Sequence, residues 1–244
     1  MTRVKGSKLE LKKMRASAAA LAAALPPRIA KLAPASEPPP PIPASHVVYV
    51  DAGSGGVLLG GATPYSPADV AKIGQASTIV VNLLTAKDRQ DHPVEKYTAD
   101  TVQGCELWEM PIDDMKAPTP AALATLTSSI SSAVTSGKTV YVHCRGGLGR
   151  AGLVCGAVLA TLHPELSLLD VLALLSIGLA KRAERPRRKK VPYYMPQTKV
   201  QIDCLKATMA PIAAPSDAYV RSKRPREEDG GDPPPKRRTI NIFG

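Results

Sequence analysis

Apolar positions in the middle of the chain fall into short runs that read as strands, separated by longer stretches in which they recur every three or four residues, as on one face of a helix. The strand runs are His46–Val50, Val57–Leu59, Ser77–Leu84, Glu106–Met110 and Thr139–His143. The helical runs are Ser66–Gly74, Thr119–Ser136, Arg150–Leu162, Ser167–Ile177 and Gln197–Met209. Ser66-Pro67 and Thr119-Pro120 each place a hydroxyl where a helix needs a cap and a proline in its first turn. Strand followed by helix, repeated, predicts an α/β domain with a central, mostly parallel sheet flanked by helices. No internal repeat interrupts that order.

Both ends break the pattern. The polyproline stretch from Pro38 to Pro43 can join neither helix nor sheet. Residues 1–45 therefore read as a disordered, basic, Pro-rich tail, 46–212 as the folded domain, and 213–244 as a second disordered basic tail. Charge follows the same division. The chain has a net charge of +11, yet residues 1–45, 181–190 and 216–244 alone carry +6, +6 and +2, so the remainder is slightly acidic. The basic character belongs to the tails and one loop, which predicts an anionic partner or an address signal there. Four cysteines show neither the density of a secreted disulfide framework nor the spacing of a zinc site, and no apolar run approaches the ~18 residues of a membrane span. A soluble protein of a reducing compartment, with no metal and no cofactor, is expected.

The chemistry concentrates in one segment. The strand run Thr139–His143 leads directly into Cys144-Arg145-Gly146-Gly147-Leu148-Gly149-Arg150, and an apolar helical run follows at once. Three glycines in this loop let successive backbone N–H groups turn inward at a helix N-terminus, which is an anion cradle. The same field favours the thiolate of a cysteine at its centre, so Cys144 is a candidate nucleophile. Arg150 brings a planar fork suited to two phosphoryl oxygens. Upstream, Pro111-Ile112-Asp113-Asp114 follows a strand run and offers a carboxylic acid to protonate a leaving group.

Cys, five residues and Arg, with His143 before the cysteine, resembles the signature loop of the cysteine-dependent protein-tyrosine and dual-specificity phosphatases. The loops are most similar to those of the cyclin-dependent-kinase-associated phosphatases and the phosphatases of regenerating liver. The resemblance implies catalysis through a phosphocysteine intermediate. Cys144 would be the nucleophile, Arg150 would hold the phosphoryl group, Asp114 would be the acid with Asp113 its neighbour, and His143, Arg145, Gly146, Gly147, Leu148 and Gly149 would bind substrate phosphate. Gln197 in Gln197-Thr198-Lys199-Val200-Gln201 resembles the glutamine that positions the hydrolytic water, with Gln201 in support. One departure stands out: most members carry Ser or Thr after the arginine, whereas this chain has Ala151, which implies slow release of the phosphoenzyme.

The implied activity is hydrolysis of phosphotyrosine or phosphoserine/threonine in a phosphoprotein substrate. RNA 5′-triphosphatase or phosphoinositide phosphatase activity stays open because Arg145 adds charge at the mouth, and a low-turnover phosphoprotein-binding role stays open because of Ala151. The run Lys181–Lys190, followed by Tyr193 and Tyr194, is a candidate contact for nucleic acid. Lys223-Arg224-Pro225-Arg226 and Lys236-Arg237-Arg238 resemble a bipartite import signal, which predicts an importin-type receptor as partner and a nuclear as well as cytoplasmic location. Cys105, Cys155 and Cys204 are expected in the core.

Overall fold

The computed structural model describes residues 25–33, 45–91, 97–98, 102, 104–180 and 195–209. By contact the chain divides into Met1–Met209 and Ala210–Gly244, and every described residue belongs to the first unit. The polyproline stretch, the basic run 181–190 with its two tyrosines, and both basic clusters near the C-terminus lie outside the described residues.

The described elements run α1 (Pro27–Ala30), β1 (Ser45–Val50), β2 (Val57–Ala62), α2 (Pro67–Ala76), β3 (Ile79–Asn82), α3 (Ala86–Asp91), β4 (Glu106–Glu109), α4 (Pro120–Thr135), β5 (Thr139–Cys144), α5 (Arg150–Leu162), α6 (Leu168–Ala180) and α7 (Lys199–Met209). The sheet order is β1-β2-β5-β3-β4. β1 is antiparallel to β2, while β2, β5, β3 and β4 run parallel, as the alternation of strand and helix predicts. The caps form as read: the Ser66 hydroxyl accepts from the Asp69 N–H and the Thr119 hydroxyl from the Ala122 N–H, both at 3.2 Å.

Alternate residues of each strand enter opposite faces of the sheet. Leu58, Ile79, Val81, Val140 and Val142 join the larger core, which also holds buried residues of α4, α5, α6 and α7. Leu59, Val80 and Tyr141 join a smaller one with Val70 and Ile73 of α2, Tyr97 and Val102. α5 is buried along Arg150–Leu159, so apolar side chains and small residues surround it on all sides.

Three differences from the sequence reading have physical causes. β2 continues through Gly60 and Gly61 to Ala62, where glycine's poor strand propensity hid it. The glycine is there for space, because a Cβ on Gly61 would sit 2.4 Å from the Tyr141 hydroxyl. The apolar run Ser77–Leu84 forms a strand only at Ile79–Asn82; Leu83 beyond it still donates to the His143 carbonyl of β5, while its own carbonyl accepts from the Ile112 N–H. Finally, residues 25–33, assigned to the N-terminal tail, include α1, whose Ile29 is buried in the larger core with Leu25, Leu32 and Ala33 against it. An isolated four-residue helix has no periodicity to betray it, and burial of apolar surface is what holds it.

Candidate active site

Cys144 ends β5, the central strand, at the carboxyl edge of the parallel sheet, where open α/β folds place their ligands. It is 3% exposed. The loop that follows owes its path to Gly147, with φ of 69° and a backbone so close to β2 that a Cβ would lie 2.3 Å from the Gly61 carbonyl carbon. Gly146 is exposed, Leu148 packs against the larger core, and Gly149 occupies the N-cap position of α5. Arg145 anchors the loop through its carbonyl, which accepts from the Thr63 N–H at 3.3 Å and the Tyr65 hydroxyl at 3.4 Å.

Arg150 opens α5 and is 1% exposed. Its guanidinium forms a fork with Asp88 (Nη1 to Oδ2 2.6 Å, Nη2 to Oδ1 3.1 Å) and also donates from Nη1 to the Ile112 carbonyl at 2.8 Å. Nη2 lies 3.0 Å from Asp114 Oδ1. Burial opposes its charge, but the hydrogen bond to Asp88 and the charges of Cys144, Asp88 and Asp114 outweigh burial and raise its pKa. Nε is buried and has no partner among the described residues. The second carboxylate is shared, for Asp114 Oδ2 also lies 3.0 Å from Arg145 Nη2. Asp113, by contrast, points no charge into this cluster among the ion pairs of the described residues, and its carbonyl accepts from the Lys116 N–H.

Asp88 is the residue the sequence reading missed. It sits on the six-residue α3, where its carboxylate also accepts from the N–H and hydroxyl of Thr85, both at 2.9 Å, while its own N–H donates back to the Thr85 hydroxyl. This is a reciprocal cap, legible as Thr85-x-x-Asp88, but the cap alone says nothing of Arg150. Burial would raise the Asp88 pKa, and the hydrogen bonds from Arg150 and Thr85 overcome it and hold the carboxyl at about 2.

Behind the loop, His143 is fully buried, stacked on Tyr141 with ring centroids 5.6 Å apart and hydrogen-bonded through Nε2 to the Tyr97 hydroxyl. Burial is the main force pushing its pKa down to about 3, so the ring is neutral. It can orient the loop and cannot serve as a cation there.

Residues 54–168 match the family model described as the Swiss Army Knife protein, DSP-PTPase phosphatase domain. That span holds the loop, Arg150, Asp88 and Asp114 together. Residues 54–168 thus carry a cysteine-dependent phosphatase domain of the dual-specificity kind. Among solved structures, the active form of Tk-PTP is 25% identical, with 68% of this chain and 98% of that chain covered and a TM-score of 0.50. Kinase associated phosphatase with its catalytic-site cysteine changed to serine is 17% identical, with 69% and 97% covered and a TM-score of 0.54. PTPMT1 in complex with PI(5)P is 19% identical, with 70% and 99% covered and a TM-score of 0.50. The last two share the fold. No curated protein matches the sequence.

Past the matched span, the segment that carries Gln197 and Gln201 belongs to the same compact unit. A Cβ on Gly149 would meet Gln197 Oε1 at 2.9 Å, so Gln197 lies against the loop. Gln201 is 0% exposed, and both ends of its carboxamide are engaged with backbone groups. Cys155 and Cys204 lie in the core, where burial raises the Cys155 thiol, while half-buried Cys105 donates to the Ser77 carbonyl at 2.7 Å. Ala151 is fully buried immediately beneath the loop. No group of His, Cys, Asp and Glu among the described residues could hold a metal ion, and no described helix is long and apolar enough to cross a membrane.

Proposed function

We propose that this domain hydrolyses phosphomonoesters on proteins, on tyrosine or on serine and threonine, by a two-step route through phosphocysteine. The observation that carries the reading is the convergence of Cys144, buried Arg150 and Asp114 at one end of β5, with the Asp114 carboxylate 3.0 Å from Arg150. In the first step the Cys144 thiolate forms a bond to phosphorus as the phosphorus–oxygen bond to the leaving group breaks. Asp114 gives its proton to the departing oxygen and becomes a carboxylate. In the second, water attacks phosphorus, the sulfur leaves as thiolate, and the proton of the water returns to Asp114, releasing inorganic phosphate. The unpartnered Nε–H of Arg150 is the donor available to a phosphoryl oxygen, joined by the loop N–H groups. Gln197 would hold the attacking water, a role supported by its position against Gly149.

The test is direct. Wild type and Cys144→Ser are assayed on an aryl phosphate, phosphotyrosine and phosphothreonine peptides, a phosphoinositide and 5′-triphosphate RNA. Activity on phosphopeptides that vanishes in Cys144→Ser supports the reading. Unchanged turnover in Cys144→Ser refutes the cysteine mechanism, and hydrolysis confined to RNA or to the phosphoinositide refutes the substrate assignment. A second reading, a phosphoprotein-binding regulator with slow turnover, is favoured by buried Ala151, which offers the cysteine sulfur no hydroxyl. The nuclear address and its importin-type receptor, and a nucleic-acid contact at 181–190, belong to the proposal on sequence grounds alone. Fluorescent fusions with and without residues 221–238 test the address, which falls if nuclear accumulation persists without them.

A further inference from the structure

The loop that carries Asp114 is an exposed turn, and Asp114 itself is 38% exposed. Its entry is tied to the sheet edge, where the Met110 and Ile112 N–H groups donate to the Asn82 and Leu83 carbonyls. Its tip is not. There the chain reverses through Met115 at φ of 64°, a left-handed conformation that is unfavourable for a residue with a Cβ and persists only when its surroundings dictate it.

The surroundings that dictate it come from the start of α7. Three successive features of the descending turn are bonded there: the Met115 carbonyl accepts from Thr198 Oγ1 at 3.3 Å, the Lys116 carbonyl from Gln201 Nε2 at 3.1 Å, and the Pro118 carbonyl from Cys204 Sγ at 3.4 Å. At its other end the Gln201 carboxamide accepts the N–H groups of Gln197 and Thr198, at 3.1 and 3.2 Å. The orientation of the amide is dictated by these partners, because a flipped group would face two donors with a donor and an acceptor with an acceptor. One buried side chain thus joins the segment bearing Gln197 to the turn bearing Asp114.

We infer that Gln201 and Thr198 are positioning residues for Asp114: they clasp the carbonyls of its turn, hold Met115 in its left-handed conformation, and so keep the carboxyl group over the two arginines. The inference rests on the reading of Asp114 as the acid. It gives Gln201 a part in the first chemical step, distinct from the support of water implied by its resemblance to the glutamine loop.

Gln201→Glu isolates the effect, since a carboxylate still accepts the Gln197 and Thr198 N–H groups but cannot donate to Lys116. Thr198→Val removes the other donor, and Thr198→Ser restores it. Rates are measured on aryl phosphates of increasing leaving-group basicity and on an alkyl phosphate, with the thermal midpoint of each variant recorded. A displaced acid matters only where the leaving oxygen needs a proton. Gln201→Glu and Thr198→Val should therefore lose roughly tenfold to a hundredfold on the alkyl ester and at most severalfold on the most activated aryl ester, with Thr198→Ser close to wild type. Equal losses on every ester would reveal a merely structural role and overturn the inference. If Asp114→Asn steepens the leaving-group dependence while neither clasp variant does, the inference fails and the acid assignment stands. If Asp114→Asn leaves that dependence unchanged, the acid assignment fails and takes the inference with it. Should Gln201→Glu not fold, Thr198→Val and Thr198→Ser carry the same comparison.

Discussion

Replacing Asp88 by asparagine should destabilise the domain by an amount that depends on pH in a defined direction. The substitution keeps shape and one hydrogen-bond acceptor, but leaves the 1% exposed Arg150 guanidinium with Asp114 as its one carboxylate ion-pair partner among the described residues. Breaking a buried ion pair costs about 3–5 kcal/mol, and the retained acceptor and Asp114 put the expected loss near the lower end. The ionisation of Asp88 supplies an independent figure. Its folded pKa is about 2 against an ordinary 3.8, and at 1.36 kcal/mol per unit this is roughly 2 kcal/mol at neutral pH. A depressed carboxyl pKa stabilises above the unfolded value and loses that contribution as pH falls through 3.8 toward 2, so about half should be gone by pH 3. Urea denaturation of wild type and Asp88→Asn at intervals from pH 7 to pH 3 measures both quantities. A difference below about 0.5 kcal/mol at pH 7, or one that stays constant down to pH 3, would refute the claim that Asp88 holds Arg150 as an ionised partner.

Further outcomes follow from single observations. Gly147→Ala should cost at least about 3 kcal/mol, because a Cβ would lie 2.3 Å from Gly61 at a φ of 69°; Gly146→Ala, with nothing within 4 Å, should stay within about 0.5 kcal/mol, as thermal denaturation would show. His143 is neutral when folded, with a pKa near 3 against 6.5, so unfolding takes up a proton below pH 6.5 and stability should fall as pH drops; His143→Gln should flatten that slope between pH 6.5 and 4. Asp114→Asn should slow alkyl ester hydrolysis by ~10²–10⁴ while Asp113→Asn does little, and exchanged phenotypes would move the acid by one residue. Ala151→Ser should raise turnover roughly tenfold to a hundredfold and shrink the burst of phenol in rapid-quench assays, since a charge-assisted hydrogen bond to the departing sulfur contributes ~1.5–3 kcal/mol. Absence of a burst in wild type with unchanged turnover in Ala151→Ser would show that phosphoenzyme breakdown does not limit the rate.

What could be read from the sequence was local or carried by a motif. The strand run ending at His143 continues straight into the glycine loop, so Cys144 and Arg150 were visible without any knowledge of the sheet. Hydroxyl-proline caps announced α2 and α4 because a cap and its helix are neighbours in the chain. What escaped was pairing across long separations. Asp88 lies 62 residues from Arg150, and Gln201 lies 85 from Lys116. No periodicity marks either pair, and each residue reads plausibly as a helix cap or a solvated side chain. α1 escaped for a related reason, since four residues among prolines have too short a pattern to register, and only the core explains Ile29.

The two carboxylates on Arg150 are unequal, and the inequality bears on how the site works. Asp88 is 4% exposed at its side chain, capped by Thr85 and forked onto the guanidinium, so its position is set by the fold. Asp114 is 38% exposed and holds the same guanidinium with one oxygen at 3.0 Å while the other reaches Arg145. A phosphoryl group entering the loop competes for arginine donors, and the partner it can displace is the exposed one on the turn. Asp88 would keep Arg150 aimed while Asp114 moves the short distance from guanidinium to leaving-group oxygen. On that account the fold separates two tasks that a single carboxylate could not perform together: holding the arginine still, which demands burial, and delivering a proton, which demands room to move. The clasp from Thr198 and Gln201 limits that room to the side chain of Asp114 by fixing the backbone beneath it.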